Sequence, residues 1–191
     1  MEYGVIAVGT SWGGLQALST LLASLPDEVE PPIVVAQHRS VDAAEGGLSA
    51  VLRHHTSRVI RDAEDKDQLE PRHVYLAPPD YHLLVEPGSL ALSTDEAVQF
   101  ARPSIDVLFE SVADAYRERA IGIVLTGANE DGAAGLARIK ARGGVAIVQD
   151  PETSERRRMP DAAIAATHAD AVLRVEEIGS FLFGLCCEVR V

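Results

Sequence analysis

The chain has 191 residues, 47% of them hydrophobic, and a formal net charge of -12. That size fits one compact domain with ample material for a core, and the acidity excludes nucleic acid as an expected partner, because phosphate binding needs clustered Lys and Arg. No run approaches the ~18 apolar residues of a membrane span, and the amino terminus MEYGVIAVGT lacks the basic region and cleavage site of a signal peptide. No membrane insertion and a cytoplasmic location are therefore expected.

Short Val- and Ile-rich runs recur, each followed by a turn signal and then by apolar residues at helical spacing. In chain order the pattern predicts a strand at 5–8, a helix at 15–25, a strand at 33–36, a helix at 48–55 and a strand at 74–77. A hairpin follows at 82–93, turning at Glu86, Pro87 and Gly88. Then come a helix at 105–119, a strand at 121–125, a helix at 132–142, a strand at 145–148 and a last helix at 175–187. The acidic stretch 62–71 reads as a surface loop. Nearly continuous apolar strands of this kind arise when both faces of a sheet are covered. The expected architecture is α/β: a doubly wound, mainly parallel sheet flanked by helices, with one short antiparallel hairpin, forming a single domain over 1–191. Cys186 and Cys187 are adjacent, which suits neither a disulfide framework nor a metal site, and they read as reduced thiols.

Gly9-Thr10-Ser11-Trp12-Gly13 matches Gly-x-Ser-x-Gly and lies between a predicted strand and a predicted helix. A sharp strand-to-helix turn would lift the Ser11 hydroxyl above the sheet edge as a nucleophile. The backbone amide of Trp12 would then face a developing oxyanion. Two other readings stand beside this one. Ser11 could cap the following helix, or the glycines could cradle a phosphate. The second is weakened because a dinucleotide fingerprint wants glycine at position 11 and an acidic residue where Gln37 and His38 stand.

His38 should emerge at the carboxyl end of the second strand, on the same rim as Ser11, where an imidazole can take and return the serine proton. Asp131, in Thr126-Gly127-Ala128-Asn129-Glu130-Asp131-Gly132, reaches that rim from another strand and could orient the histidine. It could equally be the N-cap of the helix it precedes, with Glu130 as the orienting acid. The remaining histidines, His54, His55, His73, His82 and His168, read as scaffold or surface, and no spacing implies a metal. Arg156, Arg157 and Arg158 read as a solvated loop, with contact to an acidic partner as the alternative.

These residues resemble the catalytic domain of the CheB family, the chemotaxis receptor methylesterases. The resemblance rests on AVGTSWGGLQAL from Ala7, VVAQH ending at His38, VYLAPPDYHLLV from Val74, RPSIDVLFESVA from Arg102, IGIVLTGANEDGAAGL from Ile121 and MPDAAI from Met159. It implies a serine, histidine and aspartate triad at Ser11, His38 and Asp131. It also implies hydrolysis of γ-glutamyl methyl esters on the cytoplasmic domain of methylated chemoreceptors, often with deamidation of glutamines, and no cofactor.

Several features depart from the family's pattern. Members commonly carry a receiver domain before the esterase, whereas here the first strand begins almost at residue 1, so a separate regulatory protein is the expected alternative. Ala128, Asn129 and Glu130 stand where a methionine, glycine and asparagine are usual, so Ala128 thins the apolar lining of the substrate pocket. Trp12 replaces a small hydroxylated residue beside Ser11, and Glu155 with three arginines replaces an apolar segment ending in glycine. Two rival functions follow: a serine esterase for another ester, and a catalytically silent binding module of the same fold.

Overall fold

The computed structural model describes residues 2–39 and 46–187. Seven strands form one parallel sheet: β1 (Val5–Thr10), β2 (Ile33–Gln37), β3 (Val59–Asp62), β4 (His73–Leu76), β7 (Ala120–Val124), β8 (Val145–Gln149) and β9 (Ala171–Leu173). Their order across the sheet is β3-β4-β2-β1-β7-β8-β9. The hairpin stands apart, β5 (His82–Glu86) pairing antiparallel with β6 (Ser89–Ser93).

Alternation along β1 explains the layering. Val5 and Ala7 face a core built by α3 (Ile105–Tyr116), α4 (Ala133–Ala141), α5 (Arg158–Ala166) and the hairpin. Ile6 and Val8 face the opposite core, made with α1 (Gly14–Ser24), α2 (Gly47–Leu52) and α6 (Val175–Cys187). Side chains of a strand point alternately to the two faces, so a strand covered on both reads as an unbroken apolar run.

The expected fold class is the observed one. Two strands and a helix lie outside the expected set: β3, β9 and α5. β3 is a four-residue edge strand carrying Arg61 and Asp62, β9 has three residues, and α5 draws its core contacts from Met159 and Ala163. None has an apolar run long enough to announce itself. The acidic loop expected at 62–71 begins on the last residue of β3. The helix expected at 48–55 is α2 followed by a 3₁₀ turn at Arg53–His55, and that expected at 105–119 is α3 followed by one at Arg117–Arg119.

The topology fixes where chemistry can occur. The chain moves from β1 to β2 on one side and later returns to β7 on the other side of β1, so the loops after these three strands diverge. Ligands of open α/β sheets bind at such a reversal, outside the carboxyl ends of the strands.

Candidate active site

Ser11 and His38 are held side by side by strand register. Thr10 of β1 pairs with Gln37 of β2, and the His38 amide extends the ladder by donating to the Thr10 carbonyl at 3.1 Å. On the other flank the Ser11 amide donates to the Thr126 carbonyl at 3.0 Å, tying the serine to the end of β7. The Thr10 hydroxyl donates to the same carbonyl at 2.9 Å, and the Thr126 hydroxyl donates to the Trp12 carbonyl at 3.0 Å. Thr126 thus clamps both sides of Ser11, although no sequence pattern assigns it that role.

The tight turn after Ser11 depends on Gly13, whose φ of 78° is left-handed and which serves as the N-cap of α1. A Cβ there would lie 2.6 Å from the Glu155 carboxylate. Because Gly13 makes the cap with no side-chain hydrogen bond, the capping role considered for Ser11 is not taken up. Among the described residues the Ser11 hydroxyl makes no hydrogen bond, and the backbone amides of Trp12 and Ala128 donate to nothing. Both amides are therefore unengaged at the rim.

His38 and Asp131 meet directly. Nε2 of His38 lies 2.7 Å from Oδ2 of Asp131, with the carboxylate fully buried and the imidazole 15% exposed. Asp131 accepts three further bonds: from the Ser104 hydroxyl at 2.9 Å, the Ile105 amide at 2.7 Å and the Asp106 amide at 2.9 Å. Burial pushes its carboxyl up, but the bonds from His38 and from the Asp106 and Ile105 amides outweigh burial and hold it below the ordinary aspartate value. Asp131 therefore stays ionised against the imidazole. It does cap a helix, but that helix is α3; the N-cap of its own α4 is Gly132. Glu130, the other candidate for orienting the histidine, is exposed and bonded to Arg158 at 3.0 Å.

A cleft of about 420 Å³ opens beside the imidazole, lined by His38, Arg39, Asp80, Phe100, Arg102 and Asn129. Phe100 projects fully into solvent from a tight turn closed by Val98 and Ala101. A larger hollow of about 500 Å³ lies at the opposite end of the sheet, against Pro31, Pro32, Tyr116 and Cys186, with no serine or histidine among its described lining. Of Ser11, His38 and Asp131, it is His38 that lines the smaller cleft. Among the described residues no group of His, Cys, Asp and Glu could hold a metal ion, both cysteines are free, and no helix is long and apolar enough to cross a membrane.

A sequence model described as CheB methylesterase matches residues 6–182. The chain belongs to the CheB methylesterase family. A relative from Leptospira interrogans is 44% identical over 186 residues, spanning 97% of this chain and 96% of that one. The protein-glutamate methylesterase/protein-glutamine glutaminase of Maricaulis maris is 37% identical over 92% of this chain, which spans 44% of its length. The protein-glutamate methylesterase FrzG of Myxococcus xanthus is 38% identical over 94% of this chain and 54% of its own. The chain thus spans nearly all of the first relative and about half of the other two. Among solved structures, the Thermotoga maritima CheB methylesterase catalytic domain superposes with a TM-score of 0.88 at 30% identity, covering 97% of this chain and all of that one.

Trp12, Glu130 and the segment 155–158, singled out in the sequence, are linked in the structure of this CheB-family chain. Trp12 Nε1 donates to Glu155 at 2.8 Å, and the Arg156 guanidinium lies 5.3 Å from the indole centroid. The Gly127 amide donates to the Arg156 carbonyl at 3.0 Å. Arg157 pairs with Glu152 and Asp161, and Arg158 with Glu130. Glu155 and Arg156 thus engage the Trp12 indole beside Ser11, while Arg157 and Arg158 are paired with the chain's own carboxylates.

Proposed function

We propose that this CheB-family chain is a protein-glutamate methylesterase that acts through Ser11, His38 and Asp131, in one catalytic domain. Ser11 Oγ attacks the γ-carbonyl carbon of a glutamyl methyl ester while His38 Nδ1, the ring nitrogen not bonded to Asp131, takes the hydroxyl proton. The oxyanion is received by the Trp12 and Ala128 amides. Collapse breaks the bond to the methoxy group, which leaves as methanol with the proton from His38. Water, deprotonated by the same nitrogen, then cleaves the acyl-enzyme to free glutamate and Ser11. A glutamine side chain would follow the same path with ammonia leaving, so the two activities in the relatives' names need one site.

The observation that carries this reading is the buried 2.7 Å contact between His38 and an ionised Asp131, one strand register from Ser11. A buried carboxylate fixes the tautomer and stabilises the imidazolium formed during attack. The family makes the cytoplasmic domain of methylated chemoreceptors the proposed substrate and the cytoplasm the proposed location, with a separate regulatory protein as the proposed control.

The test begins with a fluorophosphonate probe and mapping of the adduct. Labelling at Ser11, lost in Ser11→Ala and His38→Ala, is expected; an unlabelled intact protein would leave only a binding module. Methanol release from methylated receptor domains then separates this substrate from other esters.

A further inference from the structure

Asn129 lies between β7 and α4, and its side-chain amide is engaged at both ends. Oδ1 accepts the Asp131 amide at 3.3 Å, and Nδ2 lies 3.2 Å from Nδ1 of His38. Acceptance by Oδ1 settles which end of the Asn129 amide faces the ring: the NH₂ donor. Across the imidazole, Nε2 faces a carboxylate oxygen that can only accept, so Nε2 carries the ring proton. A neutral imidazole so oriented has one lone pair, on Nδ1, and Asn129 donates into it. That lone pair is the one that must receive the Ser11 proton. The Ser11 hydroxyl, meanwhile, has no hydrogen-bond partner among the described residues.

We infer that Asn129 is a positioning residue that caps the general base, and that its amide must give way before His38 can engage Ser11. The inference rests on the reading of Ser11 and His38 as nucleophile and base. Two effects of Asn129 oppose each other, and their sizes decide the sign. As a donor to Nδ1 it supports the reactive tautomer, but the shorter, charge-assisted bond to Asp131 fixes that tautomer by itself. As a competitor for the lone pair it must be displaced, at the cost of a neutral hydrogen bond. Removing the amide therefore releases the base without disordering it.

The experiment compares second-order rate constants for fluorophosphonate labelling of Ser11 in the intact protein and two variants. Asn129→Ala deletes the cap and should label roughly two- to tenfold faster, the range a neutral hydrogen bond allows. Asn129→Asp keeps an oxygen for the Asp131 amide but sets a carboxylate against Nδ1, drawing a proton onto it and slowing labelling by about tenfold or more. A purely structural role would slow both. ¹⁵N NMR supplies a readout independent of rate: a through-hydrogen-bond coupling between Asn129 Nδ2 and His38 Nδ1 in the intact protein, and protonation of both ring nitrogens in Asn129→Asp. A protein that labels but lacks that coupling, or whose Asn129→Ala form labels no faster, overturns this inference alone. An intact protein that never labels overturns the catalytic reading, and this inference with it.

Discussion

Asp106 and Asp131 each hold the start of the helix associated with the other. The Asp131 carboxylate accepts the amides of Ile105 and Asp106 at the start of α3. The Asp106 carboxylate, carried in the first turn of α3, accepts the amides of Gly132 and Gly135 at the start of α4 at 2.9 and 2.7 Å. Helix amino termini expose unpaired N–H groups and a partial positive charge, so each buried carboxylate finds a site suited to an anion. The exchange ties α3, which packs beneath the rim, to the loop that delivers Asp131 to His38. It also places two carboxylates in one dry region, and their titrations diverge.

Asp131→Asn tests the orienting role. An amide cannot accept at both ends: with its NH₂ in the place of Oδ2 it faces His38 Nε2, favouring the wrong tautomer, and the Ile105 amide, and with its NH₂ in the place of Oδ1 it faces the Asp106 amide, so either way one α3 donor is left unpaired. Methanol release should fall by about 10⁴-fold. Leaving one buried donor unsatisfied costs ~1–3 kcal/mol, readable as a lower urea midpoint. A change in turnover below about tenfold would remove Asp131 from its assigned role.

Asp106 gives a pH dependence of opposite sign to that of Asp131. Burial pushes Asp106 up to about 6, with the Asp131 charge adding to the rise and the Gly135 and Gly132 amides opposing it. A folded value above the unfolded one means the folded state binds the proton more tightly. The Asp106 contribution is therefore fully present below about pH 4 and is lost as pH rises through 6. Asp131 lies below its ordinary value, so its contribution is present above about pH 4 and is lost as the pH falls through its folded value. Asn at position 106 can still accept from Gly132 and Gly135 but cannot ionise. Denaturant unfolding of Asp106→Asn and the parent should show the variant gaining relative stability from pH 4 to 8, by at most on the order of 3 kcal/mol. A difference independent of pH would mean Asp106 is ionised throughout that range.

The rim was legible in the sequence because Ser11, His38 and Asp131 each come after an apolar run of the kind expected of a strand covered on both faces. Strand direction then sends all three to one edge. The partners that hold them were not legible. The Thr10 hydroxyl meets the Thr126 carbonyl across 116 positions and Asn129 meets His38 across 91, separations over which no local pattern speaks. Asp106 sits in the motif RPSIDVLFESVA, yet its use as a cap for α4 depends on two helix termini meeting in space. The capping readings of Ser11 and Asp131 depend on the same spatial facts, since Gly13 and Gly132 are the N-caps of α1 and α4.

Gly132→Ala should damage both fold and site. Gly132 has a φ of 95°, and a Cβ there would lie 2.6 Å from Cγ2 of Ile105, a fully buried side chain in the first turn of α3. Left-handed strain for a residue with Cβ costs ~1–3 kcal/mol, and the overlap with Ile105 adds to it. Relief requires α3 and α4 to separate, which pulls Asp131 away from the Ile105 and Asp106 amides. The expected result is a loss of about 2–4 kcal/mol in urea unfolding, with slower Ser11 labelling even where the variant remains folded. Full labelling in a destabilised variant would separate the helix junction from the orientation of His38.

Glu130→Gln, one residue from Asp131, should do little. Its carboxylate bonds to Arg158 at the surface, with the two side chains 61% and 65% exposed, and it makes no contact with His38. Exposed ion pairs contribute ~0–1 kcal/mol because both charges remain hydrated and screened. Near an oxyanion, removing a negative charge would help the reaction, but it also frees the Arg158 cation, and salt screens both changes over roughly 8–10 Å. Turnover within about threefold of the parent is therefore expected, a gap of three orders of magnitude from Asp131→Asn. Matched methanol-release assays on the two variants measure it directly. A loss at Glu130 comparable to that at Asp131 would mean that the imidazole is oriented during turnover by a carboxylate that the resting structure keeps at the surface.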